Sequence, residues 1–425
     1  MQNVKPNIVF VTTHDTGRWF GCYGRTTVVS PNIDSIAADG VLFENMFCAS
    51  PVCSASRAAM MTGRYPQHNG MMLLLHQPWW WTLNEGEPHL ANVLKDEGYF
   101  TRLFGFQHES EDPTEQLGFM EASKGPLGPA PKVAEEFADF MKNRPKGKPL
   151  YAQIGFWETH KPYNRDYEVR EDSKGVEVPP YLNDTEEVRN DMAELQGAVG
   201  EVDKAVGMIR TAIQEAGIED ETIFIFTVDH GIEVPRAKWT CYDPGIEVAF
   251  IIRWPGGGVT GGKRKPQLLP NVDVQPTVLE LAGIDIPENA DGRSFAEILT
   301  TDSNDPKHSE IYGLFEDSSH RYVRTQKFKL IRNFSPKRPF EFPCDLTPKT
   351  KWEPYAFAEL YDLEKDPNEC VNVANDRSYE AVFADLNSKL FNWMQNTNDP
   401  LLKGPTPTPY YLQSIQAFRS DLKKA

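Results

Sequence analysis

The chain has 425 residues, of which 40% are hydrophobic and 11% aromatic, and its formal charge is −17. That length exceeds one compact core of ordinary size and the apolar content excludes a disordered chain, so one large domain with a smaller one is expected. The acidic balance argues against nucleic acid and anionic membranes as partners, and an anionic substrate would need a local cationic or metal site.

The opening MQNVKPNIVFVTTHD lacks the charged start, long apolar run and small-residue cleavage site of a signal peptide. No apolar run is long enough to span a membrane. As given, the chain is expected to be soluble and cytoplasmic; a trimmed signal peptide would leave the same text and imply a periplasmic or secreted protein. Asn7 to Thr13 is a β-branched and aromatic run that predicts a buried strand, ending in His14-Asp15-Thr16-Gly17. Asn32 to Asp39 carries helical spacing. Cys53 opens a short helix that stops at a Gly-Arg-Tyr-Pro turn. His89 to Glu97 is again helical, with Gly98 as its stop. Tyr99 to Phe104 predicts the next strand, running into Gly105 to His108. Pro149 to Phe156 predicts another, ending in Trp157-Glu158-Thr159-His160. A long helix follows over roughly Thr185 to Ala216. Thr222 to Thr227 is a clear strand, ending in Val228-Asp229-His230-Gly231, and Val248 to Arg253 is a further one.

Strands alternating with helices predict an α/β sheet covered on both faces, with ligands beyond the carboxyl ends of its strands. The polar tetrads all fall at such ends. After about Pro306 the texture changes. Glu310 to Leu314, Arg321 to Arg324 and Lys329 to Phe334 predict short antiparallel strands, followed by a proline-rich loop, the segment Glu359 to Leu363 and a helix over roughly Tyr379 to Gln395. The expected division is a catalytic α/β domain over 1–305 and a smaller α+β domain over 306–425.

Six cysteines (Cys22, Cys48, Cys53, Cys241, Cys344 and Cys370) are too scattered for a disulfide framework, and buried thiols explain most of them. Asp15 and Asp229 each end a buried strand with a histidine beside them, His14 and His230. A lone pair of this kind is more often a turn cap; two at one sheet edge could supply two carboxylates and two imidazoles to one divalent metal. An all-oxygen set favours calcium or magnesium, and imidazoles move the preference to manganese, zinc or iron. Cys53 at a helix mouth, with Arg57 one turn on, makes an anion site holding a nucleophile; against it stands a buried cysteine with Ser54 or Ser56 as an ordinary cap.

The letters around Cys53, CSASRAAMMTGRYPQHNG, closely resemble the signature of the sulfatases: C-x-P/A-x-R, a helix, then T-G-R-x-P. PNIVFVTTHDTGRWFGCYG resembles that family's first strand and metal loop, and IFTVDHGIEVPRAKWTCYDPG its second metal strand and lysine segment. RYVRTQKFKLIRNF and ELYDLEKDPNE resemble its C-terminal domain. The resemblance runs through nearly the whole chain, nearest to the heparan N-sulfatase (sulfamidase) branch and its bacterial relatives. It implies an alkaline phosphatase-like fold: a large mixed, mostly parallel sheet between helices, with an antiparallel sheet in the smaller domain. It also implies that Cys53 is oxidised by a maturase to formylglycine, whose hydrate attacks sulfur with one oxygen and expels sulfate through the other. By the same resemblance Arg57 holds the diol. Asp15, Asp229 and His230, with His14, ligate one divalent metal (manganese, zinc or calcium) together with position 53. Lys238 binds a sulfuryl oxygen, and His108 or His160 protonates the leaving atom. The implied substrate is a small anionic sulfate ester or sulfamate, on a saccharide.

Three departures stand out. The family's paired acids in the first metal loop become His14-Asp15, and its Asp-Asn becomes Asp229-His230, a form also found in phosphonate monoester hydrolases. Its Gly-Lys-x-His becomes Gly105-Phe106-Gln107-His108, which removes a sulfate-binding lysine. A phosphonate monoester or phosphodiester hydrolase is therefore the alternative enzyme, and an unconverted binding protein the third reading. MMLLLHQPWWW, Met71 to Trp81, reads first as core or as the interface of a homo-oligomer, and second as a wall that stacks a sugar. His68 and His76 are evenly balanced between structure and function.

Overall fold

The structure is a computed structural model; it describes residues 5–124, 128–163, 169–301, 303, 306–336 and 356–422. Eight strands form the main sheet: β1 Asn7–Thr13, β2 Val41–Phe47, β3 Phe100–Gly105, β4 Glu121–Ala122, β5 Leu150–Gly155, β6 Thr222–Val228, β7 Glu247–Arg253 and β8 Lys263–Pro270, in the order β4-β3-β5-β1-β6-β7-β2-β8. β7 alone runs against its neighbours β6 and β2; the other pairings are parallel. All seven residues of β1, of sequence NIVFVTT, are buried. Such a continuous apolar run suits a strand covered by helices on both faces.

The reversed β7 has a consequence for the site. A parallel return from β6 would have to cross to the far edge of the sheet. Here the connection from Asp229 to Ile246 stays at the carboxyl edge of β6, where β7 begins, and Lys238 rides on it.

The Cys53–Thr62 helix is buried along all ten of its residues, CSASRAAMMT. Its Ala and Ser side chains let it lie close to its neighbours, and Gly63 ends it at φ +65, a left-handed geometry that glycine adopts without a Cβ clash. A Cβ on Gly63 would meet the Gln275 side chain at 2.6 Å. The 30-residue helix Glu186–Glu215 starts at Thr185, whose hydroxyl caps the Val188 N–H.

A second sheet, all antiparallel, is built from β9 Glu310–Phe315, β10 His320–Thr325, β11 Phe328–Asn333 and β12 Ala358–Asp362 in the order β12-β11-β10-β9. The Glu380–Asn396 helix buries Leu386, Leu390, Trp393 and Met394. The two sheets are joined close to the site. Tyr322 Oη donates to the Cys48 carbonyl at 2.8 Å, and the Leu314 N–H donates to the Ala49 carbonyl at 2.9 Å. Ile311, Leu314, Phe315 and Tyr322 belong to the same apolar cluster as the main sheet.

Every strand and helix expected from the sequence is present, with ends within two residues. β2, β8 and the helices Ala130–Asn143, Val274–Leu281 and Pro409–Leu422 were not expected. β2 hides its period because Glu44 and Asn45 interrupt the apolar run where its pairing register with β7 shifts, between Phe43 and Met46. β8, KRKPQLLP, is an edge strand, which is where a proline and three basic residues are tolerated. Cys22, Cys48, Cys53 and Cys241 are free thiols. Cys344 and most of the proline-rich segment lie outside the described residues.

Candidate active site

Register explains how distant residues meet. β1 and β6 pair in parallel with Thr13 opposite Val228, so the next residues, His14-Asp15 and Asp229-His230, leave the sheet side by side. β5 lies on the other side of β1, with Thr12 opposite Gly155, and delivers His160. β3 pairs with β5, Gly105 opposite Gly155, and delivers His108. Cys53 arrives from β2 at the same edge.

The Asp15 N–H donates to Asp229 Oδ1 at 2.9 Å, and Asp15 itself has φ +34, a left-handed backbone uncommon for a residue with a side chain. His14 Nδ1 lies 2.9 Å from Asp229 Oδ2. His230 Nε2 lies 3.1 Å from Asp15 Oδ1 and 3.2 Å from Cys53 Sγ. Arg57 Nε donates to Asp229 Oδ2 at 3.0 Å, and Lys238 Nζ donates to Asp15 Oδ2 at 2.6 Å. His14, Asp15, Asp229 and His230 have no exposed surface, and Cys53, Arg57 and Lys238 have 2% or less.

Ligand atoms of His14, Asp15, Cys53 and Asp229 all lie within 4.8 Å of one another, a spacing that can hold a metal ion. His14 Nε2 is buried with no hydrogen-bond partner. His230 Nδ1 faces the Gly231 carbonyl at 3.0 Å, and since a carbonyl only accepts, that nitrogen carries the proton. Nε2 is thereby turned toward Asp15 and Cys53 with its lone pair, the usual outer-shell support of a ligating histidine. Two buried carboxylates and two imidazoles fit a divalent transition metal better than calcium.

Burial disfavours charge on His14, but Asp229 outweighs it and pushes the imidazole up to about 10. His230 is opposed by burial and raised by Asp229 and Asp15, to about 9. Burial would raise the Asp15 carboxyl, yet Lys238, His230 and His160 hold it well below the carboxylate range. The Cys53 thiol is likewise raised by burial and lowered more by Lys238 and His230, ending well below an ordinary thiol.

His160 and His108 both reach the site but differ in state. His160 Nδ1 donates to the Lys161 carbonyl at 2.6 Å, so Nε2 is an acceptor and receives Lys238 Nζ at 3.2 Å. Burial and Lys238 keep this imidazole neutral against the pull of Asp15. His108 lies on the Cys53 side of the site and helps to lower that thiol. Its Nε2 meets His76 Nδ1 at 3.0 Å, with the two ring planes within 2° of parallel. His68 is elsewhere, paired with Asp291 at 2.8 Å.

Sequence reading missed Glu233. Its Oε2 sits 3.2 Å from Lys238 Nζ and 3.8 Å from His160 Nδ1. The only textual signal is its place three residues after His230. It also left the lysine-deficient position unexplained. Phe106 stands there, its ring 4.5 Å from His14 and 5.3 Å from the Arg57 guanidinium. The Met71–Trp81 run divides: Met71 to Leu75 are core, while His76 is exposed and Trp79 half-buried beside it, with its ring 6.3 Å from Trp239.

The Sulfatase family model matches residues 6–284, and the model for the C-terminal region of N-sulphoglucosamine sulphohydrolase matches 236–396. The chain belongs to the sulfatase family. As a sulfatase it is a sulfuric ester hydrolase. The sulfatase is 27% identical to an ulvan-active sulfatase of Formosa agariphila over 93% of this chain and 81% of that one. It is 24% identical to human N-sulphoglucosamine sulphohydrolase over 94% and 92%. Its fold matches that of a protein solved with its substrate D-glucosamine-2-N,6-O-disulfate (TM-score 0.76, 19% identity, 94% and 99% coverage). It also matches the phosphonate monoester hydrolase of Agrobacterium radiobacter (TM-score 0.70, 20% identity, 95% and 98% coverage).

Proposed function

We propose that this sulfatase cleaves a sulfate ester or sulfamate of a carbohydrate, using a formylglycine made from Cys53 and one divalent metal. The observation that carries the reading is the meeting of His14, Asp15, Cys53 and Asp229 within 4.8 Å at one sheet edge. The names of the ulvan-active and N-sulphoglucosamine relatives support a sugar substrate. The thiol of Cys53 stands where the oxygens of the converted residue would be. Once converted by a maturase, that position supplies a hydrated aldehyde, a nucleophile with its own means of releasing sulfate. His14, Asp15, Asp229 and His230 would hold the cation, whose charge stabilises sulfuryl oxygens; the imidazoles favour manganese or zinc.

The chain's other residues do the rest. Arg57, one helical turn after position 53, neutralises Asp229. Lys238, held between Asp15, His160 and Glu233, offers its ammonium to the sulfuryl group. With Phe106 in place of a second cation, more of that duty falls on Lys238, Arg57 and the metal. His160 accepts from Lys238 and so aims it. His108 is left to hold the proton for the leaving oxygen or nitrogen.

The test is tryptic mass spectrometry of the peptide containing Cys53 from active protein. It is paired with kcat/KM for nitrophenyl sulfate, a phenyl phosphonate and a phosphodiester at saturating manganese. Conversion of thiol to aldehyde, with sulfate the fastest, is expected. Active protein with an intact thiol would overturn the formylglycine, and faster phosphoryl substrates would overturn the sulfate.

A further inference from the structure

A cavity of about 580 Å³ opens beside the site and shares Lys238 with it. Its volume lies within the range of small-ligand pockets, about 300–1,000 Å³. Lys238 and Trp239 line one part. The first turns of the Glu186–Glu215 helix line another through Glu187, Asp191 and Glu194, which are spaced to share one helix face. Resting on the function proposed above, we propose that this cavity seats the sugar that carries the scissile group, and that it selects a saccharide with no second anionic group.

Three observations support this. The first is continuity: Lys238 and Glu233 line the cavity, and Lys238 Nζ also reaches Asp15, so the cavity adjoins the anion site. The second is Trp239. It has φ +69, a left-handed backbone that is costly for a bulky side chain, and such outliers persist where the surroundings and function demand them. An indole beside polar walls suits a pyranose, which offers C–H faces and hydroxyl edges.

The third is charge. Both ammonium groups of the described lining are already engaged. Lys161 Nζ lies 2.5 Å from Asp191, and Lys238 lies between Asp15 and Glu233. Glu187 and Glu194 remain in excess. Carboxylates accept hydrogen bonds from sugar hydroxyls and repel a second sulfate or a uronate carboxylate.

The experiment compares kcat/KM of the converted sulfatase for a singly sulfated neutral sugar with that for the same sugar carrying a second sulfate. Nitrophenyl sulfate is run alongside. The singly sulfated sugar is expected to lead by about tenfold at low salt. Raising the ionic strength to about 0.5 M should narrow the ratio, since the effect is between partly solvated charges. The double variant Glu187→Gln/Glu194→Gln should narrow it at least threefold at low salt. A doubly sulfated sugar turned over as well or better by the wild type, or a ratio unmoved by both salt and the variant, overturns the proposal. Turnover of nitrophenyl sulfate without any sugar sulfate overturns the subsite alone. No turnover of any sulfate overturns the reading beneath it, and the subsite with it.

Discussion

At the scale of single residues, position 53 is the most sensitive. Cys53 is 2% exposed and part of the main core, not at a loose loop edge. Cys53→Ala should therefore cost about 1 kcal/mol of stability at most, yet lower kcat on the order of 10⁴-fold or more, checked by denaturant melts and nitrophenyl sulfate turnover. The two site histidines should separate by leaving group. If His108 supplies the proton, His108→Ala slows alkyl sulfates by about 10²-fold or more and nitrophenyl sulfate little, because nitrophenolate leaves unaided. His160→Ala, which releases Lys238, should slow both alike; the slope of log kcat/KM against leaving-group pKa reads the difference. His230→Asn exchanges an imidazole for an oxygen ligand and should shift preference toward calcium, measured as the order of metals that restore the chelated protein.

At the scale of elements, helix ends and strand registers carry the energetics. His89 caps the Leu90–Asp96 helix, its Nδ1 accepting from the Ala91 N–H at 3.2 Å. It is 1% exposed, and burial drives its imidazole from 6.5 down to about 3. Neutral His89 is thus a requirement of the fold, since a protonated ring would lose its acceptor and oppose the positive end of the helix. The folded value lies below the unfolded one. Its contribution is therefore complete above pH 6.5 and is lost as pH falls toward 3, at ~1.4 kcal/mol per pH unit. His89→Asn keeps an acceptor without titrating, so its stability should fall less between pH 6 and pH 4 in urea melts.

At the scale of the whole molecule, the second sheet braces the site from behind. Asp243, in the connection that carries Lys238, is gripped by Arg324 Nη2 at 2.9 Å and Lys329 Nζ at 2.9 Å, both from that sheet. Burial would raise Asp243, but Arg324 and Lys329 overcome it and keep the carboxylate charged. Arg324→Ala leaves this buried charge half-paired and should cost about 3–5 kcal/mol in denaturant melts, with Lys238 misplaced and KM raised. The division at 305/306 remains a proposal about the chain's units. With a shared apolar cluster and these ion pairs across the join, both sheets are expected to melt in one transition by calorimetry, and two separate transitions would oppose that.

What the amino-acid order determined by itself was local. The apolar runs of β1, β5 and β6 name their own strands, and the His-Asp and Asp-His pairs at their ends mark the edge where chemistry sits, because burial and turn formation are written in near neighbours. β2 and β8 were silent because a bulge and an edge proline obscure their period. Contacts between residues far apart in the chain were decided by tertiary structure. The register of Thr13 with Val228 sets the His14-Asp15 and Asp229-His230 pairs side by side, and the reversed β7 keeps Lys238 at the same edge. Glu233, the paired imidazoles of His76 and His108, and the cavity beyond Lys238 were likewise invisible in the text. Each depends on which side chains meet after the backbone has turned, and no spacing along a chain encodes that.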